Sequence, residues 1–359
     1  MQQIYLAPLE GITTYIFRNA IAKYYGGIDR FYTPFLTASH LKGRELRDVK
    51  PENNMGLDIV PQILTNDAEL FLVITKQLAE LGYREVNLNL GCPSGTVVSK
   101  GRGAGFLENP EKVDRFLDEI YSSEMFCYGY NSKEKSAENS KEKSEENSEE
   151  KTDKRIKLSV KTRIGMEFLS EWEDILQVYI KYPIEELIIH PRLREDFYNG
   201  EVRLDTFRRA MELYDGVPTT LCYNGDIVDI MSYQNIKNEL SLSDDINIMI
   251  GRGLLANPNL ANEFRAFESS QDNGLHNAND TETEANIKNF DKKKFKEFIS
   301  EITENYIDEM SNEKQVVMKM KELWTYFGKG LGLDNKQMKE IYKTSRLADY
   351  RNAVQMVLS

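Results

Sequence analysis

One thiol stands in a segment built to present it. Residues 85–90 alternate into a short apolar strand, and Gly91 and Pro93 end it on either side of Cys92, glycine and proline being the strongest local breakers of regular structure. A cysteine at the C-terminal end of a strand lies where α/β enzymes place their chemistry; the alternative is a small buried hydrophobe. A glycine-rich loop, 95–106, follows and could close over a substrate.

Other polar residues end apolar runs in the same way. Ala7-Pro8-Leu9-Glu10-Gly11 makes a tight turn whose backbone could lie against a flat ligand. Gln62 sits in Pro61-Gln62-Ile63-Leu64, and an inward amide among aliphatics needs partners, because an unpaired buried polar group costs about 1–3 kcal/mol. A ring with both donors and acceptors would supply them. Lys161 ends another strand; burying a lone ammonium is costly, so it either reaches solvent or faces an anion. Of three histidines, His40 and His276 lie in polar surroundings, which leaves His190 placed for hydrogen bonding or proton transfer. Asn224-Gly225-Asp226 and Gly251-Arg252-Gly253 offer glycine amides, and Arg252 a matching charge, to a phosphate. The loops after the last two strands of a parallel barrel frequently bind one.

These residues need a scaffold that brings strand ends together. Strand-like runs occur at 4–7, 30–33, 59–63, 85–90, 157–161, 186–190, 219–223 and 246–250, eight in all. Amphipathic stretches of helical length lie at 68–81, 110–121, 171–182, 204–214 and 229–240, with 257–267 after the last strand. The crossover 36–58 is the least regular. Eight β-α units in about 265 residues have the size and rhythm of a (β/α)8 TIM barrel. A doubly wound sheet has a similar pattern, but polar or unusual residues follow nearly every strand, and a closed barrel gathers them at one mouth.

Two tracts interrupt this rhythm. Residues 131–151 are Lys, Glu, Ser and Asn with almost no apolar side chain, too little to offset the entropy of ordering, and read as a disordered insertion on the face away from the site. Residues 268–290 read as a linker. Beyond it Phe295, Phe298, Ile299 and Ile302, then Val317, Met320, Leu323, Trp324 and Phe327, recur at helical spacing. A barrel domain at 1–267 is therefore expected to close without the tail, and a small all-α domain at 291–359 to follow it.

With 359 residues the chain can bury a full core. Its three cysteines, Cys92, Cys127 and Cys222, have no paired spacing, which argues against a disulfide framework and against a metal site. The N-terminus enters a strand directly, without a basic segment or a long apolar core, so a cytoplasmic protein with no membrane contact is expected. A net charge of −12 argues against nucleic-acid binding, yet over residues 314–359 nine Lys or Arg stand against four Asp or Glu, a balance of +5. Such a surface suits RNA phosphates.

Taken in order, APLEGIT, PQILTND, NLNLGCPSGTVVSKGRGAGFL, LSVKTRIG, IIHPRLREDFYNG, YNGDI, MIGRGLLANP and KMKELWTYFG resemble one family, the tRNA-dihydrouridine synthases, flavin enzymes that reduce particular uridines in tRNA. The resemblance implies FMN across the barrel mouth, contacted by Pro8, Leu9, Glu10, Gln62, Lys161 and His190, with its phosphate on Asn224, Gly225, Asp226, Gly251 and Arg252. It makes Cys92 the general acid and turns Asn89 toward flavin and uracil; Lys100, Arg192 and Arg194, beside the mouth, are then either phosphate or base contacts or solvated surface charges. NADPH is then the reductant, tRNA the substrate, the helical domain its docking surface, and the protein a monomer. A thiol acting as an acid must stay protonated, so its pKa is expected not to be lowered.

The chain departs from the common pattern at Leu9, where methionine is usual, at Thr14, where an acidic residue is usual, and at His190-Pro191-Arg192-Leu193-Arg194, where His-x-Arg-Thr-Arg is typical. These departures and the long charged insertion leave the target uridine open. Two rivals remain at this level. One is a flavin barrel acting on a free pyrimidine, like the dihydroorotate and dihydropyrimidine dehydrogenases. The other is a catalytically silent barrel that only binds RNA or another protein.

Overall fold

Short runs of Ile, Val, Leu and Tyr give strands apolar on both faces, which suits a parallel sheet covered by helices. The computed structural model describes residues 2–126, 155–243, 245–272 and 291–359. Its strands are β1 (Ile4–Leu6), β2 (Arg30–Tyr32), β3 (Ile59–Val60), β4 (Gln62–Ile63), β5 (Glu85–Leu90), β6 (Lys157–Arg163), β7 (Glu186–His190), β8 (Thr220–Tyr223) and β9 (Asn247–Ile250). All pairings are parallel, in the order β3-β2-β1-β9-β8-β7-β6-β5-β4.

The two ends of that order, β3 and β4, are consecutive in sequence and separated by Pro61 alone. Proline has no N–H for the ladder, but its carbonyl still accepts from Asn87 N at 2.9 Å. One interrupted stave thus pairs with β2 through its first half and with β5 through its second, and eight staves close the TIM barrel.

Side chains alternate along each strand, so the barrel has an inside and an outside. Tyr5, Tyr32, Val60, Ile188, Cys222 and Met249 form a separate cluster in the interior. At its floor the buried Glu186 carboxylate accepts from the hydroxyls of Tyr5 (3.0 Å) and Tyr32 (2.9 Å) and from Asn247 Nδ2 (2.8 Å). Ile4, Leu6, Phe31, Ile59 and their neighbours face outward into the helices.

The helices Ala68–Glu80, Pro110–Tyr121, Glu171–Tyr179, Leu204–Leu213 and Ile230–Leu240 lie where the periodicity places them. Asp67, Asn109 and Asp229 cap three of them by accepting from the backbone N–H of Leu70, Lys112 and Ser232. The first crossover is the helix Tyr15–Tyr24, and the second carries a short helix, Gly43–Val49, with a 3₁₀ turn at Pro51–Asn53. After β9 the helix Leu260–Asp272 runs past residue 267, so 268–272 of the expected linker are helical. The rest of that linker, the insertion at 131–151, Cys127 and His276 fall outside the described residues. Among the described residues no helix is long and apolar enough to cross a membrane.

The C-terminal region forms four helices, Lys292–Glu309, Glu313–Gly330, Asn335–Tyr342 and Leu347–Val357. Phe295, Phe298, Trp324 and Phe327 pack edge to face at its centre, and Trp324 Nε1 donates to the Tyr350 hydroxyl at 2.9 Å. This core does not stop at the region's boundary. Phe298 packs edge to face with Phe17 and Tyr24 on the first barrel helix and with Tyr25 just after it, and one contiguous apolar cluster spans both parts. Tyr15 donates to Glu309, Thr14 meets the Tyr306 hydroxyl at 3.2 Å, and Lys23 pairs with Glu301. The expectation that the barrel closes without the tail leaves out this shared core, in which Phe298 packs on Phe17.

At one point the two parts touch backbone to backbone. A Cβ on Gly330 would run into the carbonyl oxygen of Ala256, whereas Gly95 has open space around it. Gly330→Ala is therefore expected to destabilise the protein by about 1–3 kcal/mol, the usual range for overpacking, and Gly95→Ala to cost far less. Thermal midpoints of the two variants against wild type check this; equal midpoints would remove the contact.

Candidate active site

Asn89 lies at the inward end of β5 and spends its side-chain oxygen on the next turn. Its Oδ1 accepts from Gly91 N (3.0 Å) and Cys92 N (2.9 Å), which bends the chain and presents Cys92. Behind the turn the Cys92 carbonyl accepts from Ala104 N at 3.0 Å. Gly103, at φ 56°, sits so close that a Cβ would lie 2.8 Å from that same carbonyl oxygen. Residues 103–107 are buried and 95–98 form a helical turn. The second half of the glycine-rich loop is thus packed as a buttress behind the cysteine, while Thr96 and Val97 of its first half line the cavity. Burial pushes the half-buried Cys92 thiol up from the ordinary range, and this outweighs the opposing pull of the Ser94 backbone, Arg163 and Lys161. The thiol is protonated at neutral pH.

The strand ends enclose a cavity of about 670 Å³. Pro8, Leu9, Glu10, Gln62, Asn89, Cys92, Lys161, His190, Asn224, Gly225, Asp226, Gly251 and Arg252 all line it. Gln62, expected to need a bound ring for its partners, has them in the protein: Oε1 accepts from Asn89 Nδ2 (2.7 Å) and Nε2 donates to Asn87 Oδ1 (2.8 Å). Asn89 correspondingly keeps one amide hydrogen for a ligand.

The charges here are mostly positive. Lys161 is pushed down to about 8, by burial first and by Arg163 second, and among the described residues no carboxylate counters it. Burial, reinforced by Arg163, Lys161, Arg192 and Arg252, holds the His190 imidazole well below its usual range, so it is neutral. Arg192 Nη1 lies 3.3 Å from His190 Nε2. A guanidinium only donates, so Nε2 accepts and the ring proton sits on Nδ1.

Of the four residues expected to touch substrate, Asn89 lines the cavity and the other three do not. Arg192, expected beside the mouth as a phosphate or base contact, has a side chain only 3% exposed. It grips Asp226 with both terminal nitrogens and donates through Nε to the Gly200 carbonyl at 2.6 Å. It ties the loop after β7 to the turn after β8. Arg194 lies outside the cavity with its guanidinium over the Phe197 ring, 5.1 Å from the centroid. Lys100 is exposed and also outside it. Asp226, at φ 42°, takes a second partner in Arg252 Nη2 at 3.0 Å. Burial raises the Asp226 carboxyl, but the two arginines prevail and hold it below the usual range.

Among the lining residues that the sequence did not single out are Arg163, Tyr198, Phe35 and Tyr326. Arg163 is buried and donates to the carbonyls of Gly91 (3.0 Å), Leu193 (2.6 Å) and Phe197. Its guanidinium and that of Arg252 both face the Tyr198 ring, at 5.5 and 5.2 Å. A signal existed for Arg163, since it stands two residues after Lys161 and so on the same face of β6. None existed for Tyr326, which arrives from the Glu313–Gly330 helix.

A closed parallel barrel with a protonated thiol, an unpaired ammonium and a neutral imidazole at its strand C-termini belongs among the TIM-barrel enzymes. The model of the dihydrouridine synthase (Dus) family matches residues 5–123 and 147–353, and the chain belongs to that family. The unmatched stretch, 124–146, takes in most of the charged insertion. A protein of Staphylococcus epidermidis named "Probable tRNA-dihydrouridine synthase" is 27% identical over 259 residues, 70% of this chain and 69% of its own. One of Bacillus subtilis named "Probable tRNA-dihydrouridine synthase 2" is 26% identical over the same shares. Among solved structures, an N-acetylneuraminate lyase from Mycoplasma synoviae aligns over 99% of this chain and 96% of its own at 13% identity, with a TM-score of 0.43, and carries no argument.

The lowered Lys161 pKa has a consequence for stability. Folding disfavours the charged form, so the cost is full below about pH 8 and fades as pH rises from about 8 toward the ordinary 10.5. Lys161→Met is therefore expected to raise the thermal midpoint at pH 7, with the gain shrinking steadily above pH 8. Melting curves of both proteins across pH 6–10 check it, and a gain that grows with pH would reverse the assignment.

Proposed function

We propose that this protein reduces the C5–C6 double bond of specific uridines in tRNA, with FMN as resident cofactor and NADPH as reductant. The observation that carries the reading is the protonated Cys92 thiol at the wall of a cavity that also holds the uncountered Lys161 ammonium.

The residues present fit a flavin mononucleotide. The cavity is within the usual size of a cofactor site, and its excess of positive charge asks for an anion. Pro8, Leu9 and Glu10 would give backbone to the ring, with Gln62, Lys161 and His190 around it. Asn224, Gly225, Asp226, Gly251 and Arg252 would hold the phosphate. Since the Asp226 carboxylate is already engaged by Arg192 and Arg252, its backbone amide is the part left to face a phosphate.

When bound, a flavin recharged by NADPH supplies the hydride that C6 of the uracil takes. Cys92 Sγ–H gives the proton to C5 and is left as a thiolate beside Arg163 and Lys161, which water then reprotonates. Lys161 stabilises negative charge on the base carbonyl, and the remaining Asn89 amide hydrogen orients the uracil edge. A uridine in folded RNA must be turned out of its stack to reach this depth.

The helical region at 291–359 is the natural surface for the rest of the RNA, because it stands at the mouth and lends Tyr326 to the cavity wall. Its charge is more even than the last 46 residues suggest. Over 291–359 thirteen Lys or Arg stand against eleven Asp or Glu, a balance of +2. Lys319, Lys343, Arg346 and Arg351 pair with Glu322, Glu340, Asp349 and Glu304. The reading takes the protein as a cytoplasmic monomer.

Purified protein should carry FMN and oxidise NADPH in step with dihydrouridine formed in tRNA, but not with free uracil or dihydroorotate. Cys92→Ala is expected to lower multiple-turnover reduction by about 10²–10⁴-fold while flavin stays bound. Arg252→Ala should lose flavin. Near-normal dihydrouridine formation by Cys92→Ala would make the thiol structural, and turnover of the free bases would move the protein to the free-pyrimidine class.

A further inference from the structure

The turn that carries Cys92 is held by a run of amides that continues below the cavity. Asn89 Oδ1 accepts from Gly91 N and Cys92 N, at 3.0 and 2.9 Å, so its Nδ2 faces the other way and donates to Gln62 Oε1 at 2.7 Å. Gln62 must then present Nε2 to Asn87 Oδ1 (2.8 Å), and Asn87 its Nδ2 to Ser159 Oγ (3.0 Å). The Ser159 hydroxyl has the Val86 carbonyl at 3.5 Å.

An amide group can turn over, exchanging oxygen for nitrogen, with almost no change of shape. In this run it cannot do so without loss. Backbone N–H groups, which only donate, fix one end, and a backbone carbonyl, which only accepts, fixes the other. Each amide between them has one satisfied orientation. Asn87 and Ser159 are fully buried and do not line the cavity.

We infer that Asn87 and Ser159 are positioning residues, which lock Gln62 and through it Asn89 in the orientation that aims the Cys92 turn into the cavity. The inference rests on the proposed role of Cys92 as proton donor. Without an acceptor at position 87, Gln62 Nε2 is left unpaired. Turning over to recover a partner would set it against Asn89 Nδ2, donor to donor, and Asn89 would have to release Gly91 and Cys92.

The test compares Asn87→Leu, which keeps the shape and loses the acceptor, with Asn87→Asp, which keeps an acceptor for Gln62 while the Ser159 hydroxyl turns to donate to the second oxygen. Ser159→Ala is the second variant. The first readout uses the full chain without RNA: the rate of Cys92 alkylation by iodoacetamide across pH, with the site identified by peptide mass mapping. The second is kcat and KM for tRNA with the FMN-loaded protein.

Asn87→Leu is expected to alkylate several-fold faster near neutral pH, with its profile moved toward that of an exposed thiol. Its kcat should fall by about 10- to 100-fold at an unchanged KM, and Asn87→Asp should recover both. If Asn87→Leu does not fold, Ser159→Ala should show the same directions at smaller size. An unchanged alkylation profile in the variants that fold, equal losses in Leu and Asp, or a shifted profile with wild-type kcat would each overturn the inference. A shifted profile in a protein whose wild type reduces no uridine would sustain the locked turn and overturn the functional reading.

Discussion

The crowding of cations at the strand ends governs this molecule. Lys161, Arg163, Arg192 and Arg252 converge there, and Asp226 is the carboxylate that answers two of them. Like charges gathered in a poorly solvated space repel, so the arrangement persists only with fixed anchors and a neutral imidazole. Backbone carbonyls anchor Arg163, Asp226 anchors Arg192 and Arg252, and His190 stays uncharged. Lys161 alone has no anchor, and it is the group left to interact with whatever enters.

That division of labour explains why some site residues were legible in the sequence and others were not. Polar residues that end apolar strands are conspicuous, and Gln62, Asn89, Cys92, Lys161 and His190 all reach the cavity as their placement implies. Arginines in loops are not conspicuous in the same way. Arg192 and Arg194 look alike in sequence, yet one is a buried clamp between two loops and the other lies outside the cavity. What separates them is a partner 34 residues away, Asp226, which no local pattern announces. The packing of the second half of the glycine-rich loop was hidden for a related reason. Glycines that permit motion and glycines that permit close packing have the same letter, and Gly103 against the Cys92 carbonyl is of the second kind.

The fold shows the same limit. The eight staves were legible because their period and end signals are local, even where Pro61 divides one of them into two ladder segments. The docking of the tail was not, because it joins Phe17 to Phe298 and Ala256 to Gly330. Periodicity found both apolar faces of the C-terminal helices without saying that one of them covers the barrel.

The short helix Arg252–Ala256 begins at the cavity and ends against Gly330. The same C-terminal helix that carries Gly330 also brings Tyr326 to the cavity wall. The approach of Ala256 to Gly330 is too close even for one methyl group. One C-terminal helix thus forms part of the cavity wall and also stops the short helix that starts at the cavity, so a shift of either element is felt by the other.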